Sequence, residues 1–444
     1  MSRRPLLLAI VLSAACGSNP NPPPPPPSTG MLRIELSAPQ GLAAAVRVTG
    51  PGGMDRVLTG SETLELEPGS YAVAANDVRF PGEVVDTLFR GTVSGPGEVT
   101  AGRTTTVQVA YARRPGTGGL WLAASGVVDR GLSRFDDLQL RTSGGPAPAV
   151  SLSPGFYPSA VAFDGEGALW TTDSSFASGV LFRLAPEALD HSHAPLPDRV
   201  LGAAELPSGR SLSLAGIQAL AFDASGHLWV ANCAPGYGTG LVRFTPAQLA
   251  RSGAPVPPRV LGESLFTCAG DVALDPEGGL WALNSESLLH RGRIHGWTRD
   301  QVALADDVPP AVSLAGSPDA LRLPTSLAFD ASGNLWVANC SVVANNNQLL
   351  PATVERYSAA ARAASGPARP EVVLTGFVCP VGLAFDNAGA LWVHDADALS
   401  RLYRFLPHQL TETGAPTPAV AVTAGPSDTG RPVLHPRPAA LALD

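Results

Sequence analysis

Apolar and polar positions alternate in short runs along most of the chain, and one such pattern keeps returning. Residues 327–340 read LAFDASGNLWVANC: an alternating run, an Asp-x-x-Gly step, then a second run carrying a tryptophan. Variants begin at Val161 (VAFDGEGALWTTDS), Leu220 (LAFDASGHLWVANC), Val272 (VALDPEGGLWALNS) and Leu383 (LAFDNAGALWVHDA). The aspartate before the turn falls at Asp164, Asp223, Asp275, Asp330, Asp386 and Asp444, spaced 52 to 59 residues apart. A repeat of that length, with about four strands in each unit, is what a β-propeller blade requires.

Each unit divides into four strands, a to d. Strand a carries an alanine in every copy (Ala162, Ala221, Ala273, Ala328, Ala384, Ala442), which suits an innermost strand where sheets converge. The Asp-x-x-Gly step predicts a tight hairpin, because Gly167, Gly226, Gly278, Gly333 and Gly389 can take positive φ. Trp170, Trp229, Trp281, Trp336 and Trp392 hold one fixed place on strand b and are expected to pack blade against blade. Arg134, Arg183, Arg243, Arg356 and Arg404 recur on strand c, where pairing with a neighbouring carboxylate or carbonyl is expected. A short strand d follows, as at 199–201 and 419–422.

The last copy is split. The chain stops at AALALD (439–444), a strand a with nothing after it, whereas 119–125 (GLWLAAS) and 132–135 supply strands b and c with no strand a before them. Joining the two ends predicts an all-β fold: a six-bladed propeller over 118–444, closed by the C-terminal strand and left without an open edge.

Ahead of the repeats, residues 31–114 show period-two runs such as MLRIEL (31–36), TLELE (63–67) and TTVQVAY (105–111), punctuated by Gly-Pro-Gly-Gly and Pro-Gly. This predicts a small β-sandwich. The phrase LEPGSYAV (66–73) resembles the sandwiches related to the carboxypeptidase regulatory domain, which implies a spacer or adhesion module. Further back, 16–30 is a Pro-rich linker whose proline run predicts a polyproline II stalk, with a docking peptide as the alternative.

The first fifteen residues pair a basic start, SRR, with a short apolar run and small residues before Cys16. This resembles a bacterial lipoprotein signal peptide, with an ordinary secretory signal cleaved nearby as the alternative, and the opening also resembles, loosely, a twin-arginine export signal. The resemblance implies lipidation of Cys16, membrane attachment by that lipid anchor only, and residence in the bacterial cell envelope, at the outer membrane, periplasm or cell surface.

Composition narrows the function classes. The 47 glycines and 43 prolines agree with many short strands joined by turns. The net charge is −8 and the chain contains no lysine. Nucleic acid is therefore a poor partner, for want of a basic stripe, and lysine nucleophiles are excluded.

Four cysteines lie in the repeat region. Cys233 and Cys340 follow the Asn that ends strand b, while Cys268 and Cys379 each stand four residues before the repeat motif of the next blade. Strand b ends on the face where the following strand a begins, so Cys233–Cys268 and Cys340–Cys379 are the expected pairs. Each closes a loop of about 36 to 40 residues and contributes roughly 3–4 kcal/mol. Free thiols and a four-Cys metal site are the alternatives; no CxxC spacing supports the latter.

The face bearing the b–c and d–a loops is where binding is expected. At the end of strand b stand Asp173, Asn232, Asn284, Asn339 and Asp395, candidate ligand-binding residues whose oxygens suggest calcium or magnesium. The competing expectation is hydrogen bonding to the backbone of adjoining loops. Asp271, at the start of strand a in blade 3, is a further acid near the axis. His394 and Asp395, with His435 and Arg437 at the next blade, form a candidate acid/base or anion-binding group; the alternative is an Asp395–Arg437 pair replacing a disulfide. His191, His193, His290 and His295 show no ligand spacing. The insertion at 341–353 is a lid or a polar loop.

The repeat GxLWxxx resembles NHL-repeat and gluconolactonase-like propellers, and streptogramin lyases. Two functions follow as expectations. The first is a tethered, non-enzymatic binding or scaffold lipoprotein, monomeric, facing a cell-envelope protein or a small-molecule or carbohydrate ligand. The alternative, implied by the resemblance, is a calcium- or magnesium-dependent hydrolase or lyase. Asn232, Asn284 and Asp395 match its ligands by residue type, but its early acid has no counterpart. The nucleophile-elbow pattern GxSxG is absent.

Overall fold

The computed structural model describes residues 28–443 except 126–129, 157, 174–178, 203, 206–210, 213, 215, 234–239, 258, 263, 285–291, 305–306, 317–319, 344–348 and 424–440. Cys16, His290, His435, Arg437 and Asp444 lie outside the described residues. The chain divides into two compact units, the first ending at Asn76 and including Gly91–Tyr111, the second formed by Asp77–Arg90 and Ala112–Asp444.

In the first unit the period-two runs form strands as their alternation requires. Gly30–Ser37 pairs in parallel with Thr104–Arg113 and antiparallel with Glu62–Leu66. Val46–Gly50 lies between Met54–Leu58 and Ala72–Ala75. The inward positions Leu32, Ile34, Val46, Val48, Val107 and Val109 are buried, and Tyr111 Oη donates to Ala45 O at 3.0 Å. Tyr71, on the Pro-Gly turn, donates its hydroxyl to Glu67 O at 3.1 Å.

The second unit contains six radial sheets. Blade 1 runs Val161–Phe163, Leu169–Thr172, Leu181–Leu184, Arg199–Leu201; blade 2 runs Ile217–Phe222, Leu228–Asn232, Gly240–Phe244, Arg259–Leu261. Blade 3 is Ala269–Leu274, Leu280–Asn284, Arg293–Trp297, Val312–Ala315, and blade 4 is Pro324–Phe329, Leu335–Asn339, Ala352–Tyr357, Val372–Phe377. Blade 5 is Pro380–Phe385, Leu391–Asp395, Arg401–Phe405, Val420–Thr423. Blade 6 is the composite one: Leu441–Leu443 pairs antiparallel with Gly119–Ser125, which continues into Arg130–Asp136 and Val150–Leu152. The C-terminal strand thus closes the ring, as the split repeat predicts.

Ring closure is visible in the core itself, where each of six apolar clusters lies between two neighbouring blades. The last of them joins Trp121 and Leu132 of blade 6 to Val161 and Leu184 of blade 1. The tryptophans sit in these seams, Trp170 against Phe222, Trp281 against Phe329 and Trp336 against Phe385, at ring separations of 6.2, 6.0 and 5.9 Å.

The repeated aspartate does more than make a turn. Asp164 Oδ1 accepts from the backbone of Glu166 and Ala168, and its Oδ2 accepts from Trp170 Nε1 at 2.9 Å and Arg183 Nε at 2.9 Å. The indole bond recurs at Asp223–Trp229, Asp275–Trp281, Asp330–Trp336 and Asp386–Trp392, between 2.9 and 3.1 Å. Arg404 completes the same arrangement in blade 5, its Nε 2.7 Å from Asp386 Oδ2. In blade 3 Gly296 stands where strand c has its arginine, and a Cβ there would meet the Trp281 ring at 2.8 Å. Arg362, from beyond strand c of blade 4, takes the role: its guanidinium stacks 5.1 Å from the Trp281 ring and reaches Asp275 Oδ2 at 3.5 Å.

Residues Asp77–Arg90 strap onto the propeller. Val84 and Val85 are buried with Trp392, Leu402 and Phe135, and their amides donate to Asp137 Oδ1 at 2.7 and 3.0 Å.

Candidate functional site

The face carrying the b–c and d–a loops is held by the two expected disulfides, Cys233–Cys268 and Cys340–Cys379, with Cα separations of 4.3 and 4.1 Å. Each ties the end of one strand b to the start of the next blade's strand a.

The oxygen-bearing residues that end strand b meet different fates. Asn284 Oδ1 accepts from Thr267 N at 3.1 Å, Thr267 Oγ1 at 3.0 Å and Cys268 N at 3.3 Å, while its Nδ2 donates to Leu265 O at 2.9 Å. Asp395 accepts from Val378 N and Cys379 N, at 3.0 and 2.7 Å. Both side chains therefore fasten the loop that leads into strand a, hydrogen bonding to its backbone. Burial is the main influence on the Asp395 carboxyl and raises its pKa against those amides. Asp173 and Asn232 are buried at the corresponding places in blades 1 and 2.

Asn339 is different. It is 1% exposed, and among the described residues neither amide atom has a hydrogen-bond partner. In blade 4 the loop is held instead by Glu355 of strand c, whose Oε2 accepts from Leu321 N at 3.1 Å and Tyr357 Oη at 2.5 Å, while Oε1 accepts from Thr353 Oγ1. Leu321 takes φ 50°, the left-handed region.

His394 and Asp395 are consecutive on a strand, so they project to opposite faces. Accordingly His394 Nε2 lies 2.8 Å from Ser400 Oγ, its Nδ1 has no partner among the described residues, and burial lowers its pKa to about 4. Asp395 binds loop amides as described. His295 is likewise a core residue, its pKa lowered to about 4 by burial and by Arg293, with Nδ1 2.9 Å from Ser313 Oγ.

A calcium or magnesium centre needs several convergent oxygens with free lone pairs. The described residues do not fit one: Asn284 Oδ1 already accepts from three donors, and among the described residues no three His, Cys, Asp or Glu side chains group to hold a metal.

What the innermost strands do enclose is a cavity. In blades 2 to 5 the register of strand a against strand b shifts by one residue at its beginning, between Ile217 and Ala219, Ala269 and Asp271, Pro324 and Ser326, and Pro380 and Gly382. A β-bulge of this kind re-aims the side chains around it. The bulged residues Gln218, Gly270, Thr325 and Val381, with Asp271 and Ser326 beside them, line an axial cavity of about 110 Å³. Below them it is bounded by Val161, Leu220, Val272, Leu327 and Leu383, one from each of five blades.

Among the described residues Asp271 is the one charged lining residue. Its Oδ1 accepts from Val272 N at 2.8 Å and its Oδ2 from Leu327 N of blade 4 at 2.7 Å. Burial raises its pKa from 3.8 to about 6, against the lowering by these amides and the Ser326 hydroxyl. Ser326 repeats the device, its Oγ accepting from Leu383 N of blade 5 at 3.3 Å. Sequence patterns singled out Asp271 but not Gln218, Thr325 or Ser326. The one signal for them is that the two positions before each strand-a motif vary between blades while the motif itself does not.

Fold and site together define the second unit as a six-bladed β-propeller with an axial cavity. No known protein family matches the chain, and no curated protein matches it either. Among solved structures it is similar to virginiamycin B lyase from Staphylococcus aureus, with 17% identity over 59% of this chain and 71% of that one, at a TM-score of 0.33. It is also similar to the calcium-binding protein regucalcin from Agrobacterium tumefaciens (16% identity, 60% and 74% covered, TM-score 0.35). A gluconolactonase from Xanthomonas campestris gives 11% identity, 69% and 88% covered, and a TM-score of 0.36. The propeller assignment rests on the sheets and registers of the chain itself.

Proposed function

We propose that this chain is a non-enzymatic binding or scaffold lipoprotein, tethered to the cell envelope through Cys16 and presenting the disulfide-bound face of its propeller. The observation that carries this reading is the commitment of Asn284 and Asp395 to loop amides, which makes them framework of the face rather than ligands of a catalytic metal. Two disulfides agree with an exported setting. The Pro-rich stretch before residue 31 then acts as a spacer between anchor and folded units, and the small β-unit as part of the stalk.

The test uses the full chain expressed in a bacterial host. Membrane association that is lost in Cys16→Ala, with a melting temperature indifferent to calcium and magnesium, is the expected result. A calcium-dependent rise in melting temperature that disappears in Asp395→Ala would overturn the non-enzymatic reading in favour of a metal centre.

A further inference from the structure

The axial cavity has a chemistry that the blade architecture does not need. A closed propeller is satisfied by small residues at the head of strand a, and blades 1, 2 and 5 have Ala160, Ala219 and Gly382 there. Blade 3 has a carboxylate. An ionised carboxylate enclosed without a cation is costly. The strands packed around Asp271, namely Ile217–Phe222, Leu280–Asn284 and Pro324–Phe329, contain no titratable side chain. Among the described residues no arginine lines the cavity, and the chain has no lysine.

The remaining surface is equally specific. Five aliphatic side chains form a ring on the axis. The polar groups above them include acceptors: Gln218 directs its Nε2 to Gly216 O at 3.2 Å and keeps its amide oxygen, and Thr325 Oγ1, its single hydrogen shared between Pro380 O at 2.6 Å and Ala338 O at 3.1 Å, keeps its lone pairs. A carboxylate has about four acceptor positions, of which Val272 N, Leu327 N and the Ser326 hydroxyl take three. One acceptor position and the whole charge remain.

We propose that the axial cavity binds a small primary ammonium, its alkyl part against the aliphatic ring and its charge on Asp271. The proposal rests on the reading of the propeller as a binding protein and names the ligand class. A single carboxylate matches a monovalent cation, whereas calcium takes six to eight oxygens and usually several carboxylates. A cavity of about 110 Å³ holds an ammonium with a short alkyl chain rather than a sugar ring. The chemistry is shared by a free amine and by the tip of a lysine side chain on another polypeptide.

Binding is coupled to ionisation of Asp271. With its pKa near 6, the binding-competent carboxylate is about one-tenth populated at pH 5 and almost fully populated at pH 7.5, so the apparent Kd is about tenfold weaker at the lower pH. The amine itself stays protonated throughout, so the profile belongs to the protein.

The experiment is calorimetric titration of the full chain with n-butylammonium at pH 5 and pH 7.5, with 1-butanol as the uncharged control and an N-acetylated, C-amidated Gly-Lys-Gly peptide, whose one ammonium is the lysine side chain, as a second arm. Saturable binding at pH 7.5, proton release near pH 6, the tenfold loss at pH 5 and absence of binding in Asp271→Asn are expected. Peptide binding with the same profile assigns the site to a lysine side chain, and its absence assigns the site to free amines. No saturation, a flat pH profile, or equal binding of butanol overturns the proposal. If Asp271→Asn loses its near-UV circular dichroism, the wild-type pH profile and the butanol control decide alone. A chain indifferent to both butylammonium and calcium loses the ammonium site but keeps the binding-protein reading, whereas a calcium response abolished by Asp395→Ala removes that reading whatever the amine does.

Discussion

Asp271 also makes a quantitative statement about stability. Its pKa is about 6 in the folded chain, against about 3.9 for an unfolded aspartate. A raised pKa means that the folded state holds the proton more tightly. The stabilisation is fully present below about pH 4 and is lost as pH rises through 6. Two pKa units correspond to about 3 kcal/mol, an upper value because the cavity admits some solvent. Asp271→Asn removes the titration and resembles the protonated acid in shape. At pH 4 the variant is expected within about 1 kcal/mol of the parent, the worth of one hydrogen bond, because the amide keeps one acceptor for two backbone N–H groups. Between pH 4 and 7.5 the variant gains on the parent by up to about 3 kcal/mol, or about 4 °C in melting temperature for a unit of this size. Differential scanning calorimetry of both proteins across that range reads the difference, in which all other carboxylates cancel. A difference that stays flat, or that moves in favour of the parent with rising pH, would refute the desolvated environment assigned to Asp271.

Other substitutions test other parts of the framework. Asn284→Leu strips three donors and one acceptor of their partner and is expected to cost about 2–4 kcal/mol, whereas Asn339→Leu, which removes an amide without partners, is expected to be neutral or stabilising; paired thermal melts distinguish them. Arg404→Met leaves Asp386 buried without its cation and should cost about 3–5 kcal/mol by denaturant titration, with Trp392 fluorescence reporting the same transition. Arg362→Ala should loosen blade 3 although the residue belongs to the chain of blade 4, seen as faster amide exchange around Trp281. Replacing Cys233 and Cys268 together with alanine should lower stability by about 3–4 kcal/mol, while reduction of the unaltered chain removes both staples at once.

How much of this was legible beforehand follows from whether a residue's role is periodic. The blade count, the closing strand, the two disulfides and the interblade tryptophans are properties of the repeat, and a period of one blade assigns them without coordinates. The aspartate of the repeat was only half legible, because its turn-making is local whereas its bonds to the tryptophan and arginine join three strands. Arg362 was not legible at all: nothing in its neighbourhood says that Gly296, in the strand c of the preceding blade, has left Trp281 and Asp275 without an arginine. The strap at Asp77–Arg90 falls in the same class, since Val84 and Val85 look like any strand residues until Trp392 and Phe135 are seen beside them.

The sequence by itself determined the propeller, because hydrophobic period, turn glycines and repeat length all demand the same arrangement of short strands around an axis. Only the tertiary structure decided what the polar residues do. Oxygen donors equivalent by position, Asn284, Asn339 and Asp395, part company according to whether the d–a loop swings toward strand b or toward Glu355 on strand c. Asp271 became the centre of the site through the bulges that turn the heads of the innermost strands toward the axis, where a carboxylate lines a cavity with no other charged side chain among the described residues. A register shift of one residue leaves no periodic trace in a sequence, yet it determines which side chains meet.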